Sequence, residues 1–433
     1  MRARVVVVGG GVAGLVAAAD LARGGLAPVL LEAAPQLGGR AQTRVIDGFC
    51  FNQGPHALYV AGSLHAVLDE FGVKVSGGWP NLANGLALWG DDAHPWPVRR
   101  ASDEASPPFD REESAMLATQ LRRIAQGDYD GRGQPLRALT AAWPSQVQRV
   151  VEALVRLTSY VHAPNLLEAK AALDQLRLGF AGARYVDGGW AVLVEGLAAA
   201  ARTAGADLRT ERRVSAVVRE EVGWRLDVFG EASIWCEAVI LAVPPSDAIG
   251  IAASSKALVA MSSTLRPARM MGLDLGLSPA VRPRASFALG MTAPTYMSVH
   301  SEAAILAPEG GALAHLSHYL APDEAPTAET IDGLERLADD LLPGWRSHET
   351  RRQRLVGLTV SHDIPRWQAG GRRTEGRVAD AAGLYLAGDW IGERGMLADA
   401  AAASARVAAE QVMTFLSEVQ AVPARQASQQ TGG

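Results

Sequence analysis

The chain has 433 residues, of which 48% are hydrophobic and 20% charged, and its formal net charge is -5 at pH 7. This length allows more than one domain with a sizeable core, while the near-balanced charge argues against a nucleic-acid partner and a disordered chain. The two cysteines, Cys50 and Cys236, have no metal-ligand spacing, so we expect no metal site and reduced thiols in a cytoplasmic protein.

The first part of the chain has the pattern of a βαβ unit. Arg4 to Val8 predicts a strand, an alanine-rich stretch from Val12 to Gly24 predicts a helix, and Pro28 to Glu32 predicts a second strand. We interpret the first run as a strand, and not as a signal peptide, because it is short and ends in glycines. No run approaches the roughly 18 apolar residues of a membrane span, so we expect any membrane contact to be peripheral.

A G-x-G-x-x-G pattern joins the first strand to the helix. In such a pattern Gly9 makes the tight turn, Gly11 admits a pyrophosphate and Gly14 lets the helix pack on the sheet. Glu32 ends the next strand, where a carboxylate binds ribose hydroxyls; the alternative is a solvated strand end. The predicted dinucleotide contacts of this unit are Gly9, Gly11, Val12, Ala13, Gly14, Glu32 and Ala33.

A glycine doublet and an arginine, Gly38, Gly39 and Arg40, follow the second strand. With the first motif, this run resembles the flavoprotein superfamily of amine oxidases, phytoene desaturases and protoporphyrinogen oxidases. The resemblance implies an FAD cofactor, with the glycine backbone close to it and the Arg40 guanidinium paired with the pyrophosphate. A surface arginine is the alternative.

The segment from Phe51 to His56 resembles the part of this superfamily that passes beside the flavin ring. The resemblance implies that Gly54, Pro55 and His56 lie at the cofactor and that His56 is a candidate catalytic residue. A structural histidine is the alternative.

The middle of the chain changes from helix to sheet. Residues at helical spacing between Phe109 and Ala181 predict a helical insertion, and strands are predicted at Val214–Val218, Trp224–Phe229 and Ala238–Val243. The resemblance resumes here and implies that the backbone of Val214 touches the adenine, with a core valine as the alternative.

Two carboxy-terminal segments resemble the superfamily. Gly388 and Asp389 follow a predicted strand and precede an alanine-rich helix from about Leu397 to Val419. The resemblance implies that Asp389 holds a ribityl hydroxyl or reaches the phosphates through water, and that the amides of Met396, Leu397 and Ala398 face the flavin. A helix-capping aspartate is the alternative.

The run Ile364 to Trp367 resembles an Ile-Pro-x-Tyr segment of protoporphyrinogen oxidases. The resemblance makes Trp367 a second candidate catalytic residue that lines the substrate cavity. A core tryptophan is the alternative.

We therefore expect an α/β fold with a discontinuous Rossmann-like FAD-binding domain, a second mixed-sheet substrate domain and a helical insertion. The predicted pieces are 1–75, 185–250 and 370–420 for the FAD domain, 76–184 for the helical region, 251–369 for the substrate domain and 421–433 for a disordered tail.

The resemblance implies an oxidoreductase that moves a hydride from a substrate carbon to N5 of non-covalently held FAD. Similarity to phytoene desaturases around Asn52 to Tyr59 implies a small apolar substrate, isoprenoid or polycyclic, with oxygen or a quinone as electron acceptor. Protoporphyrinogen oxidase-like and amine oxidase-like enzymes are alternatives. A flavin-free module that binds prenylated proteins is a further alternative, disfavoured by the intact glycine motifs.

A lysine distinguishes these alternatives. Many amine oxidases hold a water near flavin N5 with a lysine, and the corresponding stretch here, Leu265 to Met271, has none. Lys256 is the nearby lysine, and we interpret it as a solvated loop charge.

Overall fold

The computed structural model describes residues 1–97, 108–279 and 281–430. In chain order the strands are β1 (Val5–Val8), β2 (Val29–Leu31), β3 (Thr43–Ile46), β4 (Phe49–Asn52), β5 (Leu58–Tyr59), β6 (Gly77–Gly78), β7 (Leu86–Trp89), β8 (Asp92–Pro95), β9 (Ala183–Val186), β10 (Asp207–Arg209), β11 (Val214–Arg219), β12 (Trp224–Val228), β13 (Ile234–Cys236), β14 (Ala238–Leu241), β15 (Ala268–Leu277), β16 (Phe287–Gly290), β17 (Thr295–Val299), β18 (Ala312–Leu320), β19 (Glu349–Ser361) and β20 (Leu384–Leu386). The helices are α1 (Val12–Arg23), α2 (Ser63–Glu70), α3 (Arg111–Gln126), α4 (Leu136–Thr140), α5 (Ser145–Ser159), α6 (Ala169–Ala181), α7 (Ala191–Thr203), α8 (Pro245–Ile251), α9 (Lys256–Ser262), α10 (Ala328–Leu341), α11 (Trp345–His348) and α12 (Leu397–Gln430).

A five-stranded parallel sheet brings together three distant parts of the chain. Its strand order is β10-β2-β1-β14-β20. Helices α1, α7 and α12 pack on one face, and the β11-β12-β13 sheet with α8 covers the other. Both faces are therefore buried, which explains why β1 is a continuous valine run instead of an alternating strand. The predicted α/β fold class is confirmed.

The first turn of α1 lies against the sheet because Gly14 has no side chain. A Cβ at Gly14 would lie 1.8 Å from the carbonyl oxygen of Gly9. Any larger residue would push the helix away from β1 and displace the loop between them.

A second, seven-stranded mixed sheet has the order β19-β15-β18-β17-β16-β7-β8. Helix α10 covers one face, and helices α3 to α6 of the predicted insertion pack against the other. The β7-β8 hairpin lies in the stretch 76–184, which the sequence predicted as helical. Its partner β16 comes about 200 residues later in the chain, so local patterns did not indicate the pairing.

Helix α12 begins at Leu397 as predicted but continues to Gln430, beyond the end predicted near Val419. The extension enters the stretch predicted as a disordered tail. Within the described residues, no helix is both long and apolar enough to cross a membrane.

Candidate functional site

A cavity of about 810 Å³ opens at the carboxyl ends of β1, β2, β14 and β20. Ligands of open parallel sheets bind at these strand ends, and this volume is within the range of cofactor pockets. The predicted residues that line the cavity are Gly9, Gly11, Val12, Ala13, Glu32, Ala33, Gly38, Gly39, Arg40, Pro55, His56, Val214, Gly388, Asp389, Leu397 and Ala398.

Four predicted residues do not line this cavity. Gly14 packs between helix and sheet, Gly54 lies just behind the wall formed by its neighbours, and Met396 is buried in a hydrophobic core. Trp367 is half-buried in a short 3-10 helix, where its amide donates to the carbonyl of Leu166. The structure therefore does not bring Trp367 to the candidate site.

Two glycine segments lie side by side at the cavity wall. The Gly38 amide donates to the Gly10 carbonyl at 2.8 Å, and Gly38 has φ +115°. The nearest atom to a Cβ built on Gly11 is 3.9 Å away, so the backbone there faces open space. The two glycine segments, which include Gly10, Gly11 and Gly38, form a cradle. This cradle fits a ligand that brings a pyrophosphate close to main-chain amides.

Glu32 closes the cradle at its other side. Its carboxylate accepts the amides of Gly10 at 2.6 Å and Ala34 at 2.7 Å. These bonds fix the carboxylate at the end of β2 and leave acceptor capacity on both oxygens for ribose hydroxyls.

Arg40 and Asp389, which the sequence assigned to separate contacts, form one bidentate pair. The two guanidinium nitrogens donate to the two carboxylate oxygens, each at 2.9 Å. The sequence analysis missed His362, whose amide and Nδ1 both lie 3.0 Å from Asp389 oxygens. Burial alone would raise the pKa of Asp389, but Arg40 and His362 hold that pKa well below its usual value.

His56 lies in the cavity wall as an uncharged imidazole at neutral pH. Its Nδ1 donates to the Gly54 carbonyl at 2.9 Å, and its ring meets the edge of Trp190 at 4.6 Å between centroids. Burial lowers the pKa of His56 to about 4. Gln53 ties this segment to the glycine doublet, because its amide donates to the Gly39 carbonyl at 3.2 Å.

Aromatic and apolar residues that the sequence did not assign complete the cavity. They include Tyr59, Leu64, Tyr160, Trp190, Met270 and Leu358. Tyr160, at the end of α5, has φ +61° and donates its hydroxyl to the Pro55 carbonyl at 2.6 Å. This left-handed conformation ends α5 at the cavity wall, where the Tyr160 amide donates to the Arg156 carbonyl.

Asp399 is a buried carboxylate at the same cavity. One oxygen accepts the Leu64 amide at 2.8 Å, in the first turn of α2. Burial raises the pKa of Asp399 to about 6, and among the described residues no cation pairs with it.

Lys256 lies outside the cavity, exposed at the first position of α9. Met270 of β15 lines the cavity instead, while the neighbouring Arg269 turns away and donates to the carbonyls of Pro322 and Glu324. Over the described parts of the chain, no group of three or more His, Cys, Asp or Glu side chains is placed to hold a metal ion.

Comparison with known proteins places this geometry in context. A family model described as flavin containing amine oxidoreductase matches residues 12–413. An oxidoreductase of known structure from Methanosarcina mazei superposes with a TM-score of 0.73 at 17% identity, over 95% of this chain and 100% of that one. Cyclohexylamine oxidase from Brevibacterium oxydans superposes with a TM-score of 0.69 at 15% identity, over 96% and 99% of the two chains. These likenesses show the fold.

A curated relative gives a short match at higher identity. The carotenoid 3,4-desaturase of Haloarcula japonica is 55% identical over 51 residues, which are 12% of this chain and 10% of the relative. The match therefore covers about a tenth of each protein.

Proposed function

Since this chain belongs to the flavin-containing amine oxidoreductase family, we propose that it holds FAD non-covalently and oxidises an apolar substrate of isoprenoid or polycyclic type. Bound in the cradle, the flavin would supply the hydride acceptor for a substrate C–H bond, and oxygen or a quinone would take up the electrons afterwards. The protein would bind both partners, orient them and exclude water.

The wall of the cavity beyond the cradle carries the proposal. Tyr59 donates its hydroxyl to the Thr158 carbonyl at 2.8 Å, and Tyr160 donates to Pro55. Both hydroxyls are therefore engaged with the backbone, and Met270 and Leu358 are apolar neighbours in the same lining. Such a wall favours an apolar substrate, because transfer of apolar surface out of water is favourable.

Cofactor binding would fall to the residues of the cradle. The open backbone at Gly11 and the α1 amino terminus suit the pyrophosphate, and Glu32 suits ribose hydroxyls. His56, held neutral by burial, would add an uncharged polar atom to a dry wall. Neither cysteine lines the cavity, which supports non-covalent binding.

A second candidate, oxidation of an amine, is favoured by one observation. The Asp399 carboxylate lies at the cavity and has no cationic partner among the described residues. A substrate ammonium could neutralise it. The stretch Leu265 to Met271, where many amine oxidases carry a lysine, has none here, and its Met270 lines the cavity; both observations argue in the opposite direction.

Anaerobic reduction of the FAD-loaded protein separates the two candidates. The oxidised protein is mixed with an isoprenoid polyene in detergent, with a polycyclic porphyrinogen or with aliphatic amines, and loss of flavin absorbance is followed. We expect bleaching by one of the apolar compounds. Bleaching by an amine alone would contradict the proposal and establish the second candidate.

A further inference from the structure

We propose that His362 is a cofactor-binding residue, that its Nε2 meets a hydroxyl group of the bound flavin nucleotide, and that Asp389 holds its ring in position. The inference rests on the proposed function and adds a contact that the sequence motifs do not contain.

The Asp389 carboxylate has no acceptor position to spare. An ionised carboxylate offers about four lone-pair sites. Arg40 takes two of them at 2.9 Å, and the amide and Nδ1 of His362 take the other two at 3.0 Å. Asp389 is buried, with 2% of its side chain exposed, and these four bonds satisfy its charge. A ribityl hydroxyl expected at Asp389 would have to displace one of them.

The tautomer of His362 follows from the same contact. An ionised carboxylate can only accept, so Nδ1 of His362 carries the proton that it donates to Asp389. Nε2 is then the ring nitrogen left for a ligand, as an acceptor in the neutral ring and as a donor in the protonated ring. Among the described residues none bonds to Nε2, and His362 lines the cavity. A hydroxyl both donates and accepts, so it can bond to Nε2 in either protonation state.

The location of His362 agrees with this role. It follows β19 directly, and the carbonyl of Val360, two residues earlier, accepts a bond of 2.6 Å from Arg40. The end of β19 therefore brings backbone and imidazole to the same ion pair. Flavin nucleotides carry hydroxyls on the ribityl chain and on the adenosine ribose, and either could meet Nε2.

Two substitutions separate contact with the cofactor from support of Asp389. In His362→Asn the short amide can still donate to Asp389, but it does not extend to the position of Nε2. In His362→Gln the longer amide can replace Nε2, but it lacks an atom at the position of Nδ1. His318→Asn is the matched control, because His318 also contacts a carboxylate, at 2.9 Å from Glu324, away from the cavity.

The dissociation constant for FAD is measured for each apoprotein by quenching of flavin fluorescence. We expect His362→Asn to bind FAD about tenfold more weakly, the equivalent of roughly 1.4 kcal/mol. His362→Gln should recover most of the loss, and His318→Asn should match the wild type. A loss that persists with FMN assigns the hydroxyl to the ribityl chain, and a loss confined to FAD assigns it to the adenosine ribose.

Two results would overturn the inference. One is unchanged FAD affinity in His362→Asn, and the other is a loss in His362→Gln that His362→Asn does not share, which would reduce His362 to a support of Asp389. Should His362→Asn not fold, the Nε2 resonance of isotope-labelled His362 in the wild type must shift when FAD is added. FAD uptake by the wild type tests the proposed function separately.

Discussion

Glu32 combines two tasks in one carboxylate. It already accepts the amides of Gly10 and Ala34, and it faces the cavity. We predict that Glu32→Ala weakens FAD binding at least tenfold, because a charge-assisted hydrogen bond of about 1.5–3 kcal/mol is lost and the Gly10 loop loses its anchor. The FAD dissociation constant measures the effect.

Glu237→Ala is the control for this substitution. Glu237 also pairs with a nitrogen donor, Arg4, but it lies outside the cavity. An FAD affinity that is the same in Glu32→Ala as in this control would mean that Glu32 is only a strand-end charge.

Lys256 tests whether the chain uses a lysine in reoxidation of the flavin. Because Lys256 is exposed on α9 and does not line the cavity, we predict that Lys256→Met keeps turnover and reoxidation by oxygen within about threefold, roughly 0.7 kcal/mol of barrier. The rate of flavin reoxidation is measured by rapid mixing of the reduced protein with oxygen. A drop of two orders of magnitude would place this lysine at the flavin and restore an amine oxidase mechanism.

Asp399 should make stability depend on pH. Burial raises the pKa of Asp399 from its ordinary value of 3.8 to about 6 in the folded protein. The unfolded chain therefore loses the proton first, and stability falls as pH rises from about 4 to 6. We predict that, in the cofactor-free protein, Asp399→Asn removes this decrease in the free energy of unfolding, which is at most about 3 kcal/mol. Urea unfolding of the wild type and of Asp399→Asn at both ends of this pH range measures the free energy of unfolding. The same pH dependence in both proteins would refute the prediction.

At the scale of single residues, the sequence motifs identified residues that line the cavity, but they did not predict which of these residues contact one another. Gly11 and Glu32 were assigned to a dinucleotide because their spacing has a mechanical reason, and Arg40 was assigned to its pyrophosphate by resemblance to the superfamily. His362 belongs to no such pattern, since its place depends on how β19 ends beside Asp389. Trp367 was assigned by resemblance to an Ile-Pro-x-Tyr segment, and in the structure it does not line the cavity.

At the scale of elements, the second sheet carries a buried polar row across four strands. Its members are cross-strand neighbours: Gln353 on β19, Asp274 on β15, His315 on β18 and Ser298 on β17. Asp274 accepts from His315 Nδ1 at 2.7 Å and from Gln353 at 2.9 Å, and both members of the Asp274–His315 pair are fully buried. Gln353 also donates to the Asn52 carbonyl at 2.7 Å, which joins this sheet to the segment that leads to His56.

Removing one member of this row should lower the free energy of unfolding more than removing two members together. We predict that Asp274→Ala lowers the free energy of unfolding by about 3–5 kcal/mol, because His315 and Gln353 lose a buried acceptor. Replacing Asp274 and His315 together by leucine should cost less than Asp274→Ala. Denaturant unfolding measures both. A larger loss in the double variant than in the single one would show that the pair is net stabilising.

The β7-β8 hairpin is an element that the sequence pattern did not predict. Strands β1 and β14 are predicted from runs that contain β-branched residues and are buried on both faces. Strand β7 also has four residues, but none of them is β-branched, and it pairs in parallel with β16, far along the chain. Its stability comes from that partner, so its own sequence carries little of the signal.

At the scale of the whole molecule, the candidate cofactor site depends on three distant stretches. The Arg40–Asp389 pair joins residues 349 positions apart, and the Leu64–Asp399 bond spans 335 positions. The sequence predicted this discontinuous arrangement because two motifs of one superfamily lie near the two ends of the chain. It did not predict the cavity wall, since Tyr160 and Met270 come from the insertion and the second sheet.

Because the cofactor would contact all three stretches, its binding should stabilise the entire fold. We predict that FAD at about 100 times its dissociation constant raises the free energy of unfolding by roughly 2.7 kcal/mol. Thermal unfolding with and without FAD measures the change. An unfolding temperature that does not respond to FAD would mean that the folded protein does not bind FAD in preference to the unfolded chain.

The central claim is that this chain holds FAD without a covalent bond. The direct measurement is to incubate the purified protein with FAD, remove the unbound cofactor by gel filtration, record the visible spectrum, and then precipitate the protein with acid. We predict one flavin per chain before acid and all of the flavin in the supernatant afterwards. A protein that stays colourless after incubation, or a precipitate that keeps the yellow colour, would contradict the account.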